Sequence, residues 1–235
     1  MRAVVERLSP NRDARPEGVR VRFVILHYTG MEGGAAALRR LCDPDAKVSA
    51  HYLIDEAGGI ARLVPEDCRA WHAGVSGWGG VDGLNDGSIG VELVNPGHDW
   101  GLKDFAAAQI GSLLDLLAGL RERHGIGPEG VLGHGDVAPG RKDDPGERFP
   151  WRRLGEAGFG LWTDAGAPAD PDPLLAGDLL RRIGYRIDLP GTAPFHLVRA
   201  FQRRFRPARA DGRLDAPTMG RIAAVARLPW HPLRG

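Results

Sequence analysis

The run Val21-Arg22-Phe23-Val24-Ile25-Leu26, closed by His27, is β-branched and apolar, the composition of a central strand. It places an imidazole at the carboxyl end of that strand. A second decisive stretch is Gly133-His134-Gly135-Asp136-Val137-Ala138-Pro139-Gly140-Arg141-Lys142-Asp143-Asp144-Pro145-Gly146. It is too polar and too rich in Gly and Pro for a core element, and it reads as a loop held in turns rather than a helix. Val131-Leu132 end a buried strand just before it. Such a loop folds back on itself and aims His134 and a downstream carboxylate at one place. With His27 as a second nitrogen, two histidines and one aspartate leave the fourth position of a tetrahedral zinc open to water, the catalytic pattern. Asp136, Asp143 and Asp144 all lie close enough in sequence to be that aspartate. A single histidine after a strand is more often a hydrogen-bonded, half-buried residue than a ligand, and the chain has eight.

Outward from these two stretches the periodicity changes several times. Residues 1–19, with Pro10 and Pro16, read as an irregular lead. Gly34 to Leu41 is a short helix with Leu38 and Leu41 on one side. His51 to Ile54 and Ile60 to Val64 flank Glu56-Ala57-Gly58-Gly59, the signal of an antiparallel hairpin. Residues 70–87 form a Gly-rich loop able to wall a groove, and Ser88 to Val94 is the next buried strand. Asp104 is placed as N-cap of a helix whose Ile110, Leu113, Leu114, Leu117 and Leu120 fall at helical spacing. Gly125 stops it. After Pro150-Trp151 the stretch from Asp164 to Pro173 has linker composition, and helices follow over Leu174 to Tyr185, Pro194 to Phe205 and from Met219 onward.

With 235 residues, 34 Gly and 18 Pro, the chain is long enough for one large domain and one small one but is loop-rich. The net charge of +1 argues against a global electrostatic mode of binding nucleic acid or membrane. Charge is unevenly spread, with twelve Arg against four Asp over residues 174–235. Those arginines are scattered among helical apolar positions without a series of stacking aromatics, so they read as solvated surface rather than a nucleic-acid grip. No apolar run reaches membrane-spanning length, and the first residues lack the apolar core of a secretory signal. A cytoplasmic location is therefore expected, or a periplasmic one if the native amino terminus was trimmed. Cys42 and Cys68 are expected as reduced thiols.

Five motifs in order carry a resemblance: Ile25-Leu26-His27-Tyr28-Thr29, Ser49-Ala50-His51-Tyr52-Leu53-Ile54, Ala70-Trp71-His72-Ala73-Gly74, Asn85-Asp86-Gly87-Ser88-Ile89-Gly90-Val91-Glu92-Leu93 and Gly133 to Gly146. Over residues 20–155 the sequence resembles the zinc N-acetylmuramoyl-L-alanine amidases of the AmpD/AmiD-like family, relatives of phage lysozyme-type amidases and peptidoglycan recognition proteins. Ile183-Gly184-Tyr185, Ala200-Phe201-Gln202-Arg203-Arg204-Phe205, Asp211-Gly212 and Thr218 resemble the small helical peptidoglycan-binding module often attached to them. A helical accessory that only packs on the first domain is nearly as good a description of that segment.

The resemblance implies an α/β fold, a mixed central β-sheet flanked by helices with a small C-terminal all-α domain, divided as 1–163, a linker 164–173, and 174–235. It implies one Zn2+ per chain on His27, His134 and Asp144, the family's spacing between histidine and aspartate selecting Asp144 among the three. The implied reaction is hydrolysis of the amide between N-acetylmuramic acid, in its 1,6-anhydro form, and L-alanine of the stem peptide. Glu92, a carboxylate on an otherwise apolar strand that is costly to bury without a job or a partner, is assigned as general base. Only three of the 31 basic residues are lysines, and Lys142, two residues before the aspartate, is assigned to the oxyanion. Tyr28, His51, Trp71, Asn85 and Arg141 are expected at the substrate, while His51 and His72, in family motifs but not matched to ligands, read equally as hydrogen-bonded inside the fold or lining the groove. The expected partners are anhydro-muropeptides being recycled or peptidoglycan itself, with no nucleic acid and no membrane span. Competing readings are an amidase of polymeric wall, a non-catalytic peptidoglycan-binding protein, and a zinc peptidase of the stem peptide using the same metal-water chemistry.

Overall fold

The computed structural model describes residues 4–230; His231 lies outside them. In chain order the elements are β1 (Val4–Glu6), β2 (Arg12–Ala14), β3 (Phe23–Tyr28), α1 (Gly34–Cys42), β4 (Tyr52–Ile54), β5 (Ile60–Arg62), β6 (Cys68–Ala70), β7 (Gly77–Trp78), β8 (Val81–Asp82) and β9 (Ser88–Leu93). They continue with α2 (Ala107–His124), β10 (Val131–Gly133), α3 (His134–Val137), α4 (Trp151–Glu156), α5 (Pro173–Ile183), α6 (Pro194–Phe205) and α7 (Ala216–Val225). A six-stranded sheet runs β1-β5-β4-β9-β3-β10. Its β4–β5 pair is the antiparallel hairpin expected around Gly58-Gly59, and the remaining pairs are parallel. The sheet is thus mixed, with helices on both faces.

Alternation along β3 explains why it reads as uninterrupted apolar sequence. Val24 and Leu26 point to one face with Val91 and Leu93 of β9, under Ile110, Leu113, Leu117 and Leu120 of α2. Phe23 and Ile25 point to the other face with Leu132, where they meet Leu180 of α5 and Phe201 and Phe205 of α6. Each fully buried leucine of α2 is worth roughly 1.5–3 kcal/mol. His27, the next residue in the alternation, therefore projects on the side of the C-terminal helices.

Several local expectations are corrected. The lead is not irregular: β1 pairs with β5 and β2 with β6, partners that no local periodicity announces. Asp104 does not cap α2, which starts with Ala106 as N-cap and no side-chain bond. Instead an Asp104 oxygen accepts from Arg148. Its other end is as expected, with Gly125 left-handed at φ 69° and its N–H on the Arg121 carbonyl. Residues 134–137 make one helical turn inside the stretch expected to hold only turns. The Asp164–Pro173 segment lies along α7, where the Ala169 N–H donates to the Ala216 carbonyl and a Cβ on Gly220 would come within 1.9 Å of the Ala167 carbonyl oxygen. Cys42 and Cys68 are free, as the sequence leads one to expect.

Candidate metal centre

Parallel pairing of β10 with β3 sets Gly133 beside Leu26, so the next residues, His134 and His27, come side by side at the carboxyl ends of the two strands. Their rings meet edge to face, with centroids 4.5 Å apart. After α3 the chain returns, and the Gly135 N–H donates to the Asp144 carbonyl at 2.7 Å, which brings the Asp144 carboxylate under both rings. His27 Nδ1 lies 3.0 Å from His134 Nδ1 and 2.9 Å from Asp144 Oδ2, and His134 Nδ1 lies 3.1 Å from that oxygen. All three side chains are buried.

The donor set fits a cation. His134 Nε2 is 3.1 Å from the Ala73 carbonyl, which can only accept, so the His134 proton sits on Nε2 and Nδ1 is bare. His27 Nε2 is likewise engaged, by His72, turning its Nδ1 to the carboxylate. Burial, reinforced by His134, pushes the His27 imidazole down to about 4 against the pull of Asp144. Burial works against ionisation of Asp144, yet His134 and His27 hold its carboxyl below the usual carboxylate range. Two imidazole lone pairs and one carboxylate facing one another repel unless a positive charge lies among them, and two nitrogens with one oxygen suit Zn2+.

The loop is held from behind by the C-terminal helices. Asp136 accepts from the Gly133 N–H at 2.9 Å, from Tyr185 Oη at 2.8 Å and from Arg204 Nη1 at 2.7 Å. Asp143 pairs with Arg203, and a Cβ on Gly140 would meet the Gly191 carbonyl oxygen at 2.5 Å. Asp136 and Asp143 are thus committed to arginines and not to the centre.

A cavity of about 400 Å3 opens on the three ligand-type residues and is lined also by Glu92, Lys142, Arg141, Tyr28 and His98. Glu92 stands opposite His27 in the β3–β9 register. Its Oε2 is shielded and has no hydrogen-bond partner among the described residues; burial, with Asp144 adding, pushes its carboxyl well above the usual range while Lys142 opposes. Arg141 donates to the Ala73 and Val75 carbonyls at 2.6 and 2.9 Å. The Tyr28 hydroxyl is 2.9 Å from His98 Nδ1, whose Nε2 is 3.0 Å from Glu147.

Three residues expected at the substrate do not line this cavity. His51 is fully buried, its Nδ1 accepting from the Gly90 N–H at 2.9 Å and its Nε2 3.1 Å from the Cys68 carbonyl. Trp71 donates its indole N–H to Asp13 at 2.6 Å. Asn85 Oδ1 accepts from the His72 and Ala73 N–H groups. His51 and Asn85 hold backbone in place, and Trp71 holds the Asp13 side chain. His98, in contrast, gave no sign in the sequence of belonging to the site, because its partners Tyr28 and Glu147 are 70 and 49 residues away.

Residues 17–147 match the N-acetylmuramoyl-L-alanine amidase family. N-acetylmuramoyl-L-alanine amidase AmiD of Escherichia coli is 38% identical over an alignment covering 93% of this chain and 87% of that protein. 1,6-Anhydro-N-acetylmuramyl-L-alanine amidase AmpD of the same organism is 35% identical over 62% of this chain and 87% of its own length. Among solved structures, E. coli AmiD in complex with anhydro-N-acetylmuramic acid-L-Ala-D-γ-Glu-L-Lys superimposes with a TM-score of 0.81 at 35% identity, covering 92% of this chain and 93% of that one. AmpDh3 of Pseudomonas aeruginosa in complex with anhydromuramic pentapeptide gives 0.78 at 37%, covering 91% and 94%.

Proposed function

The chain belongs to the N-acetylmuramoyl-L-alanine amidase family, and from that premise we propose that it hydrolyses the amide joining N-acetylmuramic acid to L-alanine of the stem peptide. The observation that carries the reading is the buried convergence of His27 Nδ1, His134 Nδ1 and Asp144 Oδ2 at the floor of a cavity that also holds Glu92 and Lys142. These three residues would hold one Zn2+, which when bound supplies a Lewis acid that activates water and polarises the scissile carbonyl.

The chain's own groups do the rest. Glu92, whose Oε2 is shielded and has no hydrogen-bond partner among the described residues, takes the proton of the attacking water on a carboxylate oxygen. It then returns it to the departing L-alanine nitrogen, so that the Glu92 carboxylate is regenerated, the water's OH stays on the acyl carbon and the amine leaves neutral. Burial raises the proton affinity of Glu92, which suits a group that must hold a proton between the two steps. The Lys142 ammonium faces the same space and stabilises the negative charge that develops on the carbonyl oxygen. Tyr28 and Arg141 shape the walls, Arg141 through its fixed guanidinium.

The substrate form belongs to the same proposal. Two similar structures hold anhydro-muramyl peptides, which supports a soluble anhydro-muropeptide and a role in recycling, in the cytoplasmic setting expected from the sequence. No helix among the described residues is long and apolar enough to cross a membrane. In this reading residues 1–163 carry the chemistry, and 174–235, across the 164–173 segment, form a helical unit that supports the metal loop. Digestion of purified anhydro-muropeptide and of intact sacculi, with and without chelator and with products identified by mass, tests it. Chelator-sensitive release of an intact peptide beginning with L-alanine from the soluble substrate is expected. Release from sacculi as well makes it a wall-acting amidase, and cleavage inside the peptide makes it a peptidase. No release by metal-loaded protein favours a binding protein.

A further inference from the structure

We propose that His72 is a positioning residue of the metal centre, which fixes the His27 imidazole in the one tautomer that leaves Nδ1 bare for a cation. The proposal rests on the reading of His27 as a metal ligand. It follows from the direction of three consecutive hydrogen bonds. Ser88 Oγ is 2.5 Å from the Leu84 carbonyl, which has no proton to give, so the Ser88 hydroxyl donates there. Its lone pairs then accept from His72 Nε2, 3.1 Å away, and a proton on Nε2 leaves Nδ1 of the neutral ring as an acceptor. His72 Nδ1 is 3.1 Å from His27 Nε2, which therefore donates. The proton of His27 is committed on the side away from the cluster.

Among the described residues the two ring nitrogens of His72 are hydrogen-bonded only to His27 and Ser88. His27, His72, Ser88 and Leu84 are 2%, 7%, 0% and 1% exposed, so the hydrogen bonds of the relay are made inside the protein, although His27 and His72 also border the cavity. The rings of His27 and His72 stand at 82° to each other, and their contact is the 3.1 Å approach of His27 Nε2 to His72 Nδ1. Gly90 is part of the same device. A Cβ there would lie 2.4 Å from His72 Cγ, so any side chain on β9 at this point pushes the ring off its partner.

The next residue does the matching task for the other histidine: the Ala73 carbonyl accepts from His134 Nε2. Both tautomers are thus set by one dipeptide, His72-Ala73, whose two N–H groups are pinned by Asn85 Oδ1 at 3.1 and 2.8 Å. This gives Asn85, Ser88 and Gly90 a common purpose: they hold the wall that orients the ligands.

The test measures zinc affinity of the full chain by competition with a chromophoric chelator, alongside long-range 15N–1H spectra that report which nitrogen of His27 carries the proton in the metal-free chain. The variants are His27→Ala, His72→Leu, His72→Asn and Ser88→Ala. His72→Leu should weaken zinc about 10- to 100-fold and leave the His27 tautomer unfixed, the usual cost of losing an outer-shell partner. His72→Asn, whose Oδ1 falls near the place of Nδ1 and accepts the same proton, should recover most of the affinity and the His27 Nε2–H signal. Ser88→Ala, which keeps the His72 imidazole and removes only its Nε2 partner should His72→Leu fail to fold, should cost about 10-fold, the low end of the same range. Wild-type affinity with an unchanged His27 tautomer in His72→Leu and Ser88→Ala would overturn the proposal while His27→Ala, losing zinc, upheld the ligand reading. Equal zinc binding by wild type and His27→Ala would instead remove the ligand reading itself. The tautomer spectra decide separately whether His72 orients the ring.

Discussion

Arg204 of α6 and Asp136 of the metal loop form an ion pair of 2.7 Å in which the two side chains are 2% and 3% exposed. The guanidinium also lies 4.0 Å above the Trp151 ring. Two residues after His134, this pair fastens the loop to the C-terminal helices. Removing one partner strands a buried charge, so Arg204→Met should lower the unfolding free energy by about 3–5 kcal/mol. Adding Asp136→Asn should return part of that loss. Denaturant titration of the single and double variants measures both, and a full additive loss in the double variant would show that the charge pair is not the cause.

Glu92→Gln removes the proton acceptor while keeping size and polarity. Zinc content should stay at the wild-type value, and kcat should fall about 100- to 10,000-fold. Metal analysis and turnover of anhydro-muropeptide by the same preparation check it. Retained turnover takes Glu92 out of the mechanism.

Lys142→Met removes a charge needed only as the oxyanion forms. We expect kcat to drop about 100- to 1,000-fold with KM nearly unchanged. A rise in KM alone would make Lys142 a substrate-binding residue instead.

Metal binding should stabilise the fold, since the three ligand atoms come together only in the folded chain. At free zinc about 100 times the dissociation constant the gain is about 2.7 kcal/mol. Thermal melts with chelator and after zinc is restored read it out. His134→Ala should abolish the difference between the two melts.

Glu66 gives an acid limb to stability far from the cavity. Burial alone would raise its carboxyl, but hydrogen bonds from Arg123, Tyr52 and His124 outweigh it and hold the group down at about 2. A depressed acid stabilises the fold at pH above its unfolded value near 4.5, and that contribution is lost as pH falls towards 2. Glu66→Gln should therefore be less stable than wild type at pH 6, with the gap narrowing between about pH 4.5 and 2. A constant gap across that window would locate the effect elsewhere.

The sequence by itself determined the parts of the molecule whose cause is local. The unbroken apolar run before His27, the hairpin around Gly58-Gly59 and the leucine stripe of α2 each follow from a period of the backbone, and each is found where the residues place it. Five motifs in their order also carried the family. What only the tertiary structure decided is which polar groups meet. His51, Trp71 and Asn85 sit in family motifs, yet they turn inward to hold backbone and neighbouring side chains, while His98, in no motif, faces the cavity. Arginines that read as solvated surface include Arg204, buried on Asp136 across 68 residues, and Arg203, paired with Asp143. The physical reason is the same in each case. A strand or helix is set by neighbours two to four residues apart, whereas a buried charge or imidazole is satisfied by whatever donor or acceptor the packing of distant elements brings within about 3 Å, and that distance has no trace in sequence spacing.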